Sequence, residues 1–179
     1  MVGAQAAAPG SADEALLEAV KALPDPEIPV ISLGDLGMVR GIHRDKAQCV
    51  VSITPTYSGC PATDSIRDDI LRLLKALGEE NARVEMRFAP AWSTDWISEA
   101  GRSKLKAYGI APPMPCINTE GLVPTKVLQF KPAKPAVRLQ CPRCASEAIE
   151  RISEFGSTPC KALYRCLDCR EPFDYFKPY

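Results

Sequence analysis

Cys141-Pro142-Arg143-Cys144 and Cys166-Leu167-Asp168-Cys169 are two C-x2-C pairs with 21 residues between them. Each pair can fold as a tight knuckle that turns two sulfurs toward one centre. Two knuckles together supply the four thiolates of a tetrahedral zinc site. The segment between them is hairpin-sized and too short to bury a core of its own, so a metal would supply much of its folding free energy. The spacing predicts a zinc ribbon over residues 138–179 with Cys141, Cys144, Cys166 and Cys169 as the ligands. Four protein ligands close the coordination sphere, so the expected Zn2+ is structural. Disulfides or free thiols that lie close by chance are the plain alternatives, and the paired spacing speaks against both.

Within the ribbon Cys160 is the odd cysteine. It reads as buried filler, as a spare ligand, or as an additional thiol facing the preceding domain. The closing aromatics Phe173, Tyr175 and Phe176 are expected to pack on the hairpin; an exposed docking patch is the alternative. Upstream, residues 110–137 carry six prolines and read as a semi-extended linker, with Cys116 a spare thiol and a short strand over 122–130 as an option.

The 179-residue chain has room for one ordinary domain besides the ribbon. It is 46% hydrophobic and 25% charged, as soluble globular proteins are. The 22 basic residues balance the 22 acidic ones, so no global field recruits nucleic acid or an anionic membrane. Residues 1–10 are rich in Ala and Gly, lack a basic n-region and a long apolar core, and are expected to be disordered. Eight cysteines without a secretory leader point to a reducing compartment, the cytoplasm.

Residues 11–109 give the order helix, strand, strand, helix, strand, helix. Ser11-Ala12-Asp13-Glu14 reads as a capping box, and Leu16, Val20 and Leu23 form the apolar face that follows. Asp25-Pro26-Glu27 through Asp35-Leu36-Gly37 is a shaped loop holding three carboxylates, which on residue type alone are solvated groups or turn caps. Two strands flank Arg44-Asp45-Lys46 as a hairpin, with His43, the single histidine, exposed beside the turn. Cys49 reads as core.

Thr54-Pro55-Thr56-Tyr57-Ser58-Gly59-Cys60-Pro61 leaves the second strand and enters a helix that runs to about Leu77. Pro61 suits the first helical position, which places Cys60 at the N-cap. There the helix dipole and unpaired backbone N–H groups would favour the thiolate, lowering the pKa and raising reactivity; a buried structural cysteine is the other reading. A third strand over 84–89 follows, then a helix from about Asp95 to Tyr108 capped by Ser93 or Thr94. The fold class expected is α+β, a small mixed sheet packed with helices (αββαβα) followed by the small β ribbon. The Cys60 loop and residues 92–95 both lie between a strand and a helix and are expected to be neighbours.

Asp25-Pro26-Glu27, Ile31-Ser32-Leu33-Gly34-Asp35-Leu36-Gly37, Thr54-Pro55-Thr56, Gly59-Cys60-Pro61 and Trp92-Ser93-Thr94-Asp95 resemble the small iron–sulfur assembly family that includes SufT and the eukaryotic cytosolic iron–sulfur targeting subunit. With the cysteine ribbon and Cys160-Lys161-Ala162-Leu163-Tyr164-Arg165-Cys166 added, residues 11–179 resemble the PaaD family, also called PaaJ. The resemblance implies phenylacetate catabolism and association with the oxygenase or reductase subunits of phenylacetyl-CoA epoxidase. It places the family's reactive cysteine on Cys60, with Asp25, Glu27 and Asp35 close by, and implies transient handling of iron or an iron–sulfur cluster. A homodimer stays open.

The chain has no carboxylate–histidine motif for a di-iron centre and no G-x-G-x-x-G cofactor loop, so a maturation role fits better than direct catalysis. A thiol enzyme built on Cys60 lacks a base, because His43 is expected away from the helix start. A nucleic-acid-binding ribbon is disfavoured, because residues 138–179 hold seven Lys/Arg against six Asp/Glu.

Overall fold

Gln48–Ile53 is a mostly apolar run without a charge, and it forms the central strand of the first domain. In the computed structural model, which describes residues 11–57, 59–113 and 139–178, this strand is buried almost throughout. A strand covered on both faces and paired on both edges needs such a sequence. It is β2. The strand before it, β1 (Val39–Asp45), pairs with it antiparallel, and β3 (Arg83–Met86) pairs on its other side in parallel. The hairpin turns at Lys46, whose φ is +57°. His43 sits opposite Val50 and is half-buried, where the sequence suggested exposure.

Two helices cover this sheet. The first, α1 (Ser11–Lys21), buries Leu16 and Val20. Between β2 and β3 runs α2 (Thr63–Ala76), with Ile66, Ile70 and Leu74 at the four-residue spacing of a buried stripe. Arg44 at the end of β1 ties the layers from outside, pairing with Asp13 of α1 at 2.6 Å and with Glu79 beyond α2 at 2.7 Å.

The chain after β3 departs from the single helix expected. A 3-10 turn at Thr94–Trp96, capped by Ser93, is followed by a separate helix α3 (Glu99–Tyr108), capped by Ser98, whose hydroxyl accepts from the Gly101 N–H at 2.9 Å. Gly109 closes it in a left-handed conformation. Tyr108, the last residue of α3, is exposed.

Ile110–Ala111, which the sequence placed at the start of a linker, is a strand instead, β4, pairing in parallel with the last strand of the ribbon. The ribbon strands are β5 (Ile149–Ser153), β6 (Lys161–Cys166) and β7 (Pro172–Phe176), and the second sheet has the order β4-β7-β6-β5. The first domain thus lends its final strand to the ribbon. In return Phe176 and Cys160 sit in the first domain's apolar cluster, with the Phe176 ring centroid 6.0 Å from that of Trp92. Phe173 and Tyr175 pack on Tyr164 in the ribbon's own cluster. All three closing aromatics are buried, so they form no exposed docking patch. The expected disorder of residues 1–10, the strand over 122–130 and Cys116 lie outside the described residues.

Candidate functional site

The two C-x2-C knuckles have the same backbone form. In each, the first cysteine's N–H donates to the carbonyl five residues on: Cys141 to Ser146 at 2.9 Å and Cys166 to Glu171 at 3.0 Å. In each, the residue after the second cysteine is left-handed, Ala145 at φ +60° and Arg170 at φ +64°. This geometry directs four sulfurs to one point. Their atoms all lie within 4.8 Å of one another, with Cys141–Cys169 at 3.7 Å and Cys144–Cys166 at 3.6 Å. A regular tetrahedron of zinc–sulfur bonds of about 2.3 Å has edges of roughly 3.8 Å, so the residues fit the ion. The thiols also compete for protons as a group needing a cation does. The Cys169 N–H leads the contacts that hold Cys166 down to about 7. At Cys169 the Glu171 N–H is outweighed by desolvation and the other three thiols, which push it up to about 12.

The second cluster surrounds Cys60. The chain leaves β2 through two buried threonines, Thr54 and Thr56, and turns twice, with Cys60 N–H donating to the Tyr57 carbonyl and Thr63 N–H to the Cys60 carbonyl. The helix proper begins two residues later than expected, and its N-cap is Ala62. Cys60 therefore precedes the helix cap. It still receives hydrogen bonds from the Ala62 backbone and the Thr63 side chain, but burial pushes its thiol up, and Glu27 and Asp25 add to that. The expected low pKa is overturned: desolvation and two carboxylates outweigh the helix start.

The three loop carboxylates separate by environment. Asp25 is buried, and its Oδ1 accepts from the N–H groups of Glu27 at 2.9 Å and Ile28 at 2.8 Å, so it caps a turn. Its pKa is raised by burial. Asp35 points elsewhere, accepting from Lys104 Nζ at 2.5 Å, Ser98 Oγ at 3.0 Å and Ser32 N–H at 3.2 Å. It fastens the loop to α3. Among the described residues Glu27 makes no such anchor; it stands near Cys60, and its pKa is raised by burial and then by Asp25.

Trp92 is held by its indole N–H on the Leu36 carbonyl at 2.8 Å, and Arg102 donates to the Thr94 carbonyl at 2.7 Å. Trp92 and Tyr57 line one shallow apolar pocket with Thr54, Pro55, Thr56, Phe88 and Ala91, so the Cys60 loop and residue 92 are neighbours. Sequence reasoning missed Lys161. Its side chain is 5% exposed, its ammonium lies 3.6 Å from Asp174, and its charge acts on Asp25 and Glu27. A lysine beside a cysteine gives no sign of burial in sequence.

The chain carries the two halves of this arrangement as two recognised families. Residues 13–86 match the iron–sulfur cluster assembly protein family, and residues 127–177 match the PaaD zinc beta ribbon domain. A protein of Escherichia coli (strain K12), provisionally named as one of the subunits of 1,2-phenylacetyl-CoA epoxidase, is 46% identical over 155 residues, 87% of this chain and 86% of its own length. The chain belongs to the PaaD family. Two shorter relatives match its first domain at 30% identity. A "Fe-S protein maturation auxiliary factor" of Porphyromonas gingivalis covers 52% of this chain and 90% of its own length. The auxiliary factor SufT of Staphylococcus aureus covers 45% of this chain and 93% of its own. As the sequence predicts, the PaaD-family fold is α+β, an assembly-type domain followed by a zinc ribbon. No helix among the described residues is long and apolar enough to cross a membrane.

Proposed function

We propose that this chain is a cytoplasmic accessory factor for maturation of the multicomponent phenylacetyl-CoA epoxidase in aerobic phenylacetate catabolism. Cys60 takes iron or the edge of an iron–sulfur cluster in transit, with Glu27 as the carboxylate that acts with it and Asp25 shaping the loop behind it. The ribbon holds a structural zinc on Cys141, Cys144, Cys166 and Cys169 and presents the surface that meets the oxygenase or reductase subunit. The chain does not itself catalyse the oxygenation. Support comes from the name of the Escherichia coli relative, and from the auxiliary-factor names of the two shorter ones.

The observation that carries this reading is a half-buried thiol with the Glu27 carboxylate close enough to act on it, on two loops of the domain that the assembly family matches. A raised thiol pKa suits a transfer role. The thiol stays protonated and quiet at neutral pH, and ionises when a cation arrives to replace the proton. Zinc, when bound, would cross-link the knuckles and order the ribbon. In this reading Asp35, which accepts from Lys104 and Ser98, anchors the loop to α3.

The test is metal content and visible absorption of the anaerobically purified chain, wild type beside Cys60→Ser. One zinc in both, with iron and thiolate charge-transfer bands only in the wild type, is the expected result. Zinc alone in both would make the chain a non-catalytic adaptor. Full metallation of the client oxygenase in cells expressing Cys60→Ser would dispose of the carrier role.

A further inference from the structure

Cys160 belongs to the ribbon by sequence and to the first domain by packing. It lies in the turn before β6, and its sulfur is not among the four that converge in the knuckles. The residue is 5% exposed and sits in the first domain's apolar cluster, against which Cys60 also packs. Its Sγ is 3.0 Å from Thr158 Oγ1 and 4.0 Å from Glu27 Oε2. The Tyr57 hydroxyl is raised first by burial and then by Cys60, Cys160 and Glu27, the three groups that lie around it. A sulfur used only as filler is placed against carbon; this one meets the Thr158 hydroxyl and, further out, the Glu27 carboxylate.

We infer that Cys160 and Glu27 complete the Cys60 site, forming a two-thiolate, one-carboxylate pocket across the domain junction for a thiophilic divalent cation such as ferrous iron. This deepens the reading of Cys60 as a metal-handling thiol and rests on it. Two soft sulfurs and one harder oxygen suit first-row divalent ions, and three donors leave a coordination position for a ligand of the client. The ion replaces two thiol protons, which pass to solvent, and no electron moves. Two thiolates and a carboxylate around a divalent cation leave one negative charge. The buried ammonium of Lys161, next in sequence to Cys160, acts on Glu27 and Asp25 and is shared with Asp174 at 3.6 Å.

This pocket differs from the ribbon centre as a transfer site should differ from a structural one. Among the described residues, the four knuckle cysteines are the only group of three or more His, Cys, Asp or Glu whose ligand atoms all lie within 4.8 Å of one another. At the junction Cys160 and Glu27 stand 4.0 Å apart, and Cys60 lies beyond 4.8 Å from at least one of them, so the set closes when an ion draws Cys60 in. Because one donor comes from the ribbon and two from the first domain, the pocket exists only when the ribbon is docked.

Cobalt(II) titration of the zinc-loaded full chain, without oxygen, tests this through the thiolate-to-cobalt charge-transfer bands. The wild type is expected to take one cobalt beyond its zinc. Cys160→Ala is expected to bind about tenfold more weakly or worse, with the charge-transfer intensity per bound cobalt falling to about half. Cys60→Ala should behave alike, and the double variant should show no such band. Wild-type intensity and affinity in Cys160→Ala, with loss only in Cys60→Ala, would overturn the inference and leave the Cys60 reading standing. No cobalt beyond the zinc in the wild type would overturn both. Should Cys160→Ala fail to retain zinc, Glu27→Gln decides: it keeps both sulfurs, so intensity should hold while affinity falls, and unchanged affinity would overturn the pocket.

Discussion

Asp25, Glu27 and Asp35 carry the same charge in one loop and end in three situations, so each predicts a different mutant. Burial pushes the Asp35 carboxyl up, but Lys104, Ser32 and Ser98 together bring it below its ordinary value. A depressed carboxylate contributes stability above the unfolded pKa and loses it as pH falls through the folded one. Asp35→Ala should therefore cost about 1–3 kcal/mol at pH 7 and progressively less in acid, read by denaturant melts, with metal content untouched. Asp25 has the opposite sign: burial raises it, so keeping it ionised at neutral pH costs stability. Asp25→Asn keeps an oxygen for the Glu27 and Ile28 N–H groups and removes that charge, and should melt at or above the wild-type temperature at pH 7. Asp25→Ala loses both bonds and should melt lower. At Cys60 the raised pKa predicts slow alkylation by iodoacetamide at pH 7.5, below the rate of a free cysteine, accelerating as pH rises past the ordinary thiol range. Faster alkylation than a free thiol, quantified by peptide mass spectrometry, would restore the N-cap reading.

At the scale of elements, what could be read in advance was what local sequence determines. The β2 run and the Ile66-Ile70-Leu74 stripe of α2 declare themselves by period, and the knuckles by spacing. The misplacements have tertiary causes. Pro61 and Ala62 are spent on a turn before α2, which moves Cys60 off the cap; a proline permits the first helical position without enforcing it. The strand β4 is two residues between a helix-ending glycine and two prolines, and it exists only because β7, far along the chain, pairs with it. Gly37 shows how closely elements are brought together near the site. Its φ is +68°, and a Cβ there would fall 2.5 Å from the Trp96 carbonyl oxygen. Both the strain and the clash with backbone oppose a side chain, so Gly37→Ala should destabilise by about 2–4 kcal/mol. Thermal melts would show it, and a change within the ordinary surface range would mean that the loop and the 3-10 turn are not in register as described.

For the whole molecule the question is whether zinc in the ribbon governs the first domain. The two domains share a sheet through β4 and β7, a core through Phe176 against Trp92, and a buried cysteine through Cys160. Removing a structural zinc leaves four clustered thiols with no cation and a hairpin with little core of its own, so the knuckles should open. Opening withdraws Phe176 and Cys160 from the first domain's cluster and unpairs Ile110 and Ala111. The sheet β1-β2-β3 with α1 and α2 retains its own apolar packing and should survive. Chelation is therefore expected to split one cooperative thermal transition into two, the first domain melting lower than in the zinc-loaded chain. It should alter the near-ultraviolet circular dichroism of Trp92, which loses its Phe176 neighbour, and raise hydrogen exchange at Ile110 and Ala111 more than at Val50 and Val51. A first domain whose melting temperature and tryptophan signal ignored the chelator would mean that the ribbon hangs from it as an independent arm.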